Sequence, residues 1–134
     1  MGLTKVFDLF VGGTPLPEPR HRSTATGKIY RSKNADNWIN ALQRVFVFNK
    51  PKAAFNGPLK IKCQFAFHRP KSIKDDVVWK DKKPDIDNLY KLIADQLEKA
   101  GIIENDSRFA VCELSKEYIS ICKYEGVYIQ IWKL

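Results

Sequence analysis

The sequence predicts an α+β fold, a single two-layer domain in which a mixed β-sheet packs against two main helices in the order β-α-β-α-β-β. Three observations predict it. Residues 59–68, "LKIKCQFAFH", alternate apolar and polar positions, as a strand with one buried face does. Two longer stretches repeat their apolar residues every three to four positions, the spacing of a helix face. No linker, internal repeat or low-complexity run divides the 134 residues into two cores, and a chain of this length can bury one core by itself.

The elements follow in order. "KVFDLFVG" reads as the first strand, with Phe7, Leu9 and Val11 on one side and Val6, Asp8 and Phe10 on the other. Glycines and prolines in "GGTPLPEPR" end it. The next stretch, "RHRSTATGKIYRSK", holds Arg20, Arg22, Lys28, Arg31 and Lys33 among small and hydroxyl residues with no acid, and reads as a mobile loop or arm. A helix is expected from about Ala35 to Asn49. Trp38, Ala41, Leu42, Val45 and Phe46 form its apolar stripe, and Ile39 and Phe48 widen it toward deep burial. In the strand "LKIKCQFAFH", Leu59, Ile61, Cys63, Phe65 and Phe67 face the core. A lysine-rich connection covers residues 69–84. The second helix, about Asp87 to Ala100, sets Leu89, Ile93, Ala94 and Leu97 inward, with Lys99 in its last turn and Gly101 as its cap. "FAVCELSKEYI" and "GVYIQIWKL" close the sheet.

Composition excludes several classes. With 44% hydrophobic and 28% charged residues the chain is globular rather than disordered, and no apolar run is long enough to span a bilayer. The N-terminal "MGLTKVFDLFVGG" alternates and lacks a small-residue cleavage pattern, so it reads as a strand rather than a signal peptide. Cys63, Cys112 and Cys122 match no C-x-x-C pattern and read as buried free thiols in a reducing cytoplasm. Two histidines make a zinc site improbable. The formal charge of +8 points to a polyanionic partner, since neutralising phosphates releases counterions.

Chemistry concentrates in "KKPDIDNLYK", residues 82–91. An aspartate between a proline and an apolar helix is commonly an N-cap, and that plainer reading explains one of Asp85 and Asp87 better than both. Two carboxylates one residue apart at a helix entry can also converge on a Mg²⁺ ion, which prefers hard oxygen ligands. Lys91, four residues after Asp87, forms either an exposed ion pair or a cation beside a phosphate. Glu104 and Asp106 in "ENDSR" lie before the next strand, where a solvated turn is the plainer reading.

The stretch "KPDIDNLYKLIADQLEKAGIIENDSR" resembles the signature of the RusA family of Holliday-junction resolvases, with its Asp-x-Asp-Asn-Leu-x-Lys core and a later aspartate beyond the helix. The resemblance implies one RusA-like nuclease domain over residues 1–134, acting as a homodimeric, Mg²⁺-dependent endodeoxyribonuclease that nicks four-way junctions symmetrically in recombination and repair. Mn²⁺ is a possible substitute metal. By position, the three essential carboxylates are Asp85, Asp87 and Asp106, the motif lysine is Lys91, and Asn88 supports them. Asn105 stands where many members carry a second acid, leaving Glu104 unassigned.

In this reading the carboxylates gather one or two ions for in-line attack on the scissile phosphate, and Lys91 stabilises the charge that develops. His21 and His68 are far from any of these acids in sequence. Arg20, Arg22, Lys28, Arg31 and Lys33 on the arm, and Lys71, Lys74, Lys80, Lys82 and Lys83 in the second loop, would hold DNA phosphates. Two cuts in a two-fold junction call for a C₂ pair of sites, with "GVYIQIWKL" as an exposed edge or the first helix as candidate interface. A cytoplasmic setting in a bacterial cell, phage or prophage products being common in the family, no membrane and no small-molecule cofactor complete the expectation. The alternatives are a non-catalytic basic nucleic-acid-binding module and a nuclease preferring flaps or replication forks.

Overall fold

The computed structural model describes residues 3–19, 22–23, 29–30, 33–119 and 123–134. Strand β1 (Thr4–Gly12) leads to a two-stranded ribbon, β2 (Arg22–Ser23) and β3 (Ile29–Tyr30). Helix α1 (Lys33–Phe48), β4 (Leu59–His68), α2 (Ile86–Lys99), a 3₁₀ turn (Asp106–Arg108), β5 (Phe109–Ile119) and β6 (Gly126–Lys133) follow. Apart from the ribbon, which pairs Arg22 with Tyr30 and Ser23 with Ile29 inside the stretch expected to be a loop, the order is β-α-β-α-β-β.

The four main strands stand in the order β1-β6-β4-β5. β6 runs antiparallel to both neighbours, while β4 and β5 are parallel. A parallel pair needs a crossover, and α2 supplies it. Alternation places Phe7 and Val11 of β1, Leu59 to Phe67 at every second position of β4, and Val127, Ile129 and Ile131 of β6 in one core with both helices. The period that predicted β4 is therefore the period that buries it.

Helix α1 turns Trp38, Ile39, Leu42 and Phe46 inward, but Phe48 is 89% exposed. Phe48 follows Phe46 by two positions, about 200° around a helix, so one cannot face the core if the other does. Helix α2 buries Leu89, Leu92, Ile93, Ala94 and Leu97. Gly101 ends it as expected, at φ +79°, where a side chain would be strained. Its N–H donates to Glu98 O at 3.0 Å and that of Ile102 to Leu97 O at 3.0 Å.

Two further expectations are corrected. β6 is central, hydrogen-bonded on both sides, and offers no edge for a dimer; the margins are β1 and β5. Cys63 is buried, and desolvation pushes its thiol well above the usual range, but Cys112 is free and exposed. Cys112 lies on the marginal strand β5, beyond full cover by α2. Cys122 lies outside the described residues.

The connection of residues 69–84 is not loose throughout. Arg69 Nη1 donates to the carbonyls of Lys74 and Val77. Residues 78–80 then run along the outer margin of β5, with Tyr118 N–H donating to Val78 O at 2.8 Å and Lys80 N–H to Lys116 O at 3.0 Å. Trp79 pairs with Glu117 in this short ladder.

Candidate active site

Pro84 delivers the chain to Asp85, the N-cap of α2, whose backbone is extended at φ −67° and ψ 138°. The Asp85 carbonyl accepts from Leu89 N–H at 3.1 Å and so closes the first turn. An N-cap aspartate normally turns its carboxylate onto an orphan amide of that turn. Asp85 makes no such bond, so capping explains its position but not its side chain. Asp87 lies exposed in the same turn, and both acids stand at the positive end of the helix dipole. Lys91 is exposed one turn further on, and among the described residues it forms no ion pair with Asp87. Asn88 is half-buried, and its carbonyl accepts from Glu18 N–H at 3.0 Å, tying the proline-rich loop after β1 to this turn.

Asp106 opens the 3₁₀ turn before β5 and is exposed. Its neighbours are spent on holding the turn. Asn105 Oδ1 accepts from Ser107 N–H at 2.9 Å, Arg108 Nη2 donates to Glu104 Oε1 at 2.7 Å, and Glu98 Oε1 of α2 accepts from the Asp106 N–H at 2.8 Å. Glu104 is thus a structural partner of Arg108. Tyr90 bridges the space between this turn and the helix. Its hydroxyl accepts from Cys112 Sγ at 3.4 Å and its ring meets Phe109 at 6.4 Å. Burial, first, and then the Cys112 contact hold the Tyr90 phenol above its usual range, with the Asp106 charge the smallest contribution.

Asp85 and Asp87 are therefore brought into one turn, and Asp106 into a separate, rigidly held one. Among the described residues no group of three or more Asp, Glu, His or Cys side chains lies close enough to hold a metal ion. The donor set nevertheless suits a hard divalent cation: three carboxylates, exposed, with no hydrogen-bond or ion-pair partner for their oxygens among the described residues.

Sequence reading missed Lys116. Its Nζ donates to Lys82 O at 2.7 Å and to Pro84 O at 2.8 Å, which fixes the turn leading into Asp85. Burial, first, and the neighbouring Lys80 push this ammonium below its usual range, while Asp85 and Asp81 pull it back up. The only hint in the sequence is a charged residue midway between Leu114 and Tyr118 at the spacing of one strand face, and the structure sets it in register with Phe65. Lys80 Nζ stacks 5.2 Å from the rings of Phe67 and of Tyr118.

Of the expected DNA contacts, Lys82 and Lys83 are exposed immediately before the acids, and Lys71 and Lys74 are exposed earlier in the loop. Lys33 is exposed at the first residue of α1. Arg20, Lys28 and Arg31 lie outside the described residues, and Arg22 is described by its backbone in β2 alone. No helix is long and apolar enough to cross a membrane among the described residues.

Comparison with known proteins matches residues 12–131 to the family model of endodeoxyribonuclease RusA. The chain is also 33% identical over 91 residues to the crossover junction endodeoxyribonuclease rusA of Lactococcus phage r1t, a match that covers 66% of this chain and 67% of the phage protein.

Proposed function

The chain belongs to the RusA family of endodeoxyribonucleases, and from that premise we propose that it resolves four-way DNA junctions as a homodimer, by paired symmetric nicks made with Mg²⁺. It is a nuclease of a metal-dependent family, and an all-carboxylate donor set supports Mg²⁺ as the particular ion. Asp85, Asp87 and Asp106 would hold the ion. When bound, it supplies a Lewis acid that neutralises phosphate charge and lowers the pKa of water.

The observation that carries this reading is the pair of exposed carboxylates at the start of α2, used neither for capping nor, among the described residues, for ion pairing. Held acids without internal partners are what a cation site needs. Lys91, exposed beside them and without an ion-pair partner among the described residues, stabilises negative charge that grows on the phosphate during attack. Lys82 and Lys83 set a positive margin next to the acids, so that DNA is not repelled from its own cleavage site. The arm residues Arg20, Arg22, Lys28, Arg31 and Lys33 add phosphate contacts that position the substrate without reading its sequence. A place in the cytoplasm, where the DNA is, completes the proposal.

The test is cleavage of a synthetic four-way junction by wild type and Asp87→Asn with Mg²⁺, in competition with fork and duplex DNA. Symmetric nicks by wild type alone, with junction the preferred competitor, are expected. Equal cutting by the variant would overturn the roles assigned, and preference for forks would reassign the substrate.

A further inference from the structure

Trp79 is 64% exposed, whereas Trp38 is buried and Trp132 is half-buried with the Lys60 ammonium 5.2 Å from its ring. The Trp79 indole has no route to the core. Its backbone pairs with Glu117, and Glu117 is in register with Ala66. Residues paired in this way leave a sheet on the same face. Ala66 stands between Phe65 and Phe67, which belong to the core shared with the helices. Trp79 therefore stands on the face of the sheet that carries neither helix, at its β5 margin.

The ring is firmly mounted there. Val78 O accepts from Tyr118 N–H at 2.8 Å, and Lys80 N–H donates to Lys116 O at 3.0 Å, one bond on either side of it. The Lys80 ammonium is 5.2 Å from the rings of Phe67 and Tyr118, and Arg69 donates to the Val77 carbonyl. An aromatic ring already held in place loses little freedom when something stacks on it. Its surroundings say what that is. Residues 79–83 carry Lys80, Lys82 and Lys83 against one acid, Asp81. Lysine is depleted at the centres of protein–protein interfaces. An aromatic ring among cations is instead the combination that holds unpaired nucleic-acid bases, the ring on a base face and the cations near phosphates.

Trp79 also lies close to the acids. It precedes Asp85 by six residues, which span at most about 22 Å, or about six base steps of 3.4 Å. Lys116 fixes the end of that path through Lys82 O and Pro84 O. We propose that Trp79 stacks on a nucleobase whose face is open at the branch point of the DNA, and so distinguishes a branched substrate from a continuous duplex. This rests on the junction-nuclease reading above and adds to it a specificity-determining contact away from the acids. Inside a duplex each base face is covered by its neighbours and offers the indole nothing, whereas the stack is interrupted where arms meet.

The test measures binding in Ca²⁺ by wild type, Trp79→Ala and Trp79→Phe. The probes are a four-way junction, the same junction with abasic sites at its branch point, and linear duplex. Trp79→Ala should weaken junction binding about 5- to 150-fold, the range for one lost base stack, and leave duplex binding unchanged. Trp79→Phe should recover most of that loss. On the abasic junction, wild type and Trp79→Ala should bind alike. The intact junction should quench wild-type tryptophan fluorescence, and Trp79→Phe should lack that quenching. Unchanged junction binding by Trp79→Ala overturns the proposal, as does an equal loss on duplex and junction with the melting temperature kept. A wild-type dimer that sediments as a monomer in Trp79→Ala also overturns it, making Trp79 a contact between copies. Should Trp79→Ala fold poorly, the quenching and the abasic junction, both read on wild type, decide alone. If wild type neither cuts nor prefers the junction, the nuclease reading fails. Quenching of Trp79 by a single-stranded oligonucleotide, absent with its abasic counterpart, then still decides whether the indole stacks on open bases.

Discussion

The ammonium of Lys116 on β5 lies 2.8 Å from the main-chain oxygen of Pro84, the residue before Asp85. A charged hydrogen bond to a backbone carbonyl of this kind is worth about 1.5–3 kcal/mol. Lys116→Met should therefore lower kcat about 10- to 100-fold if that energy holds Asp85 in register. Junction affinity measured in Ca²⁺ should not change, and Lys116→Arg should recover part of the loss. A matched fall in junction affinity would instead make Lys116 a DNA contact.

Asp85 occupies the N-cap without using its side chain as a cap. Asp85→Ala should consequently cost less than the ~1 kcal/mol usual for removing a capping side chain. The same variant should lose cleavage at least about 100-fold, as an essential metal ligand would. Chemical denaturation and junction cleavage, run on one preparation, give both numbers. A large loss of stability would return Asp85 to a structural role.

Lys82 and Lys83 are exposed just ahead of the acids. If both contact phosphates, the Lys82→Ala, Lys83→Ala double variant should reduce the slope of log affinity against log salt by about 2, roughly 1 per contact. Titrations at three salt concentrations, on junctions of two different sequences, measure this. The loss should be the same for both sequences, because phosphate contacts do not read bases.

Thiol labelling should separate the two described cysteines. Burial holds the Cys63 thiol up and out of reach, whereas Cys112 is exposed. In a Cys122→Ser background, a thiol-specific reagent at neutral pH should label one group quickly and the second only on unfolding. The Cys112→Ser protein should then show no fast phase.

The acids and their helix were legible because their signals are local. The spacing of Leu89, Ile93 and Leu97 fixed the buried face of α2, and Gly101 marked its end. The alternation of β4 was equally plain. What remained hidden depends on contacts between distant segments. Alternation in "GVYIQIWKL" says which side of the strand is buried, but not that β6 has a neighbour on each side. Lys116 reaches a carbonyl 32 residues earlier in the chain, which no spacing rule registers. Phe48 looked like core because it is apolar and near the stripe, but its angle around α1 carries it into solvent. The separation of Asp106 from Asp87 likewise follows from the parallel pairing of β4 and β5, a feature of the whole sheet.

The ladder of residues 78–80 along β5 has a consequence for how the molecule survives in a crowded cell. β5 is the longest strand, 11 residues, and stands at a margin of the sheet. An uncovered margin of that length is a template on which foreign strands can grow, the first step toward aggregates and fibres. Val78 O and Lys80 N–H occupy hydrogen-bonding positions along that rim, and the lysines around Trp79 repel other basic copies. A chain shortened through residues 76–81 would keep its core but lose this guard, and the first sign of the loss should be turbidity rather than unfolding.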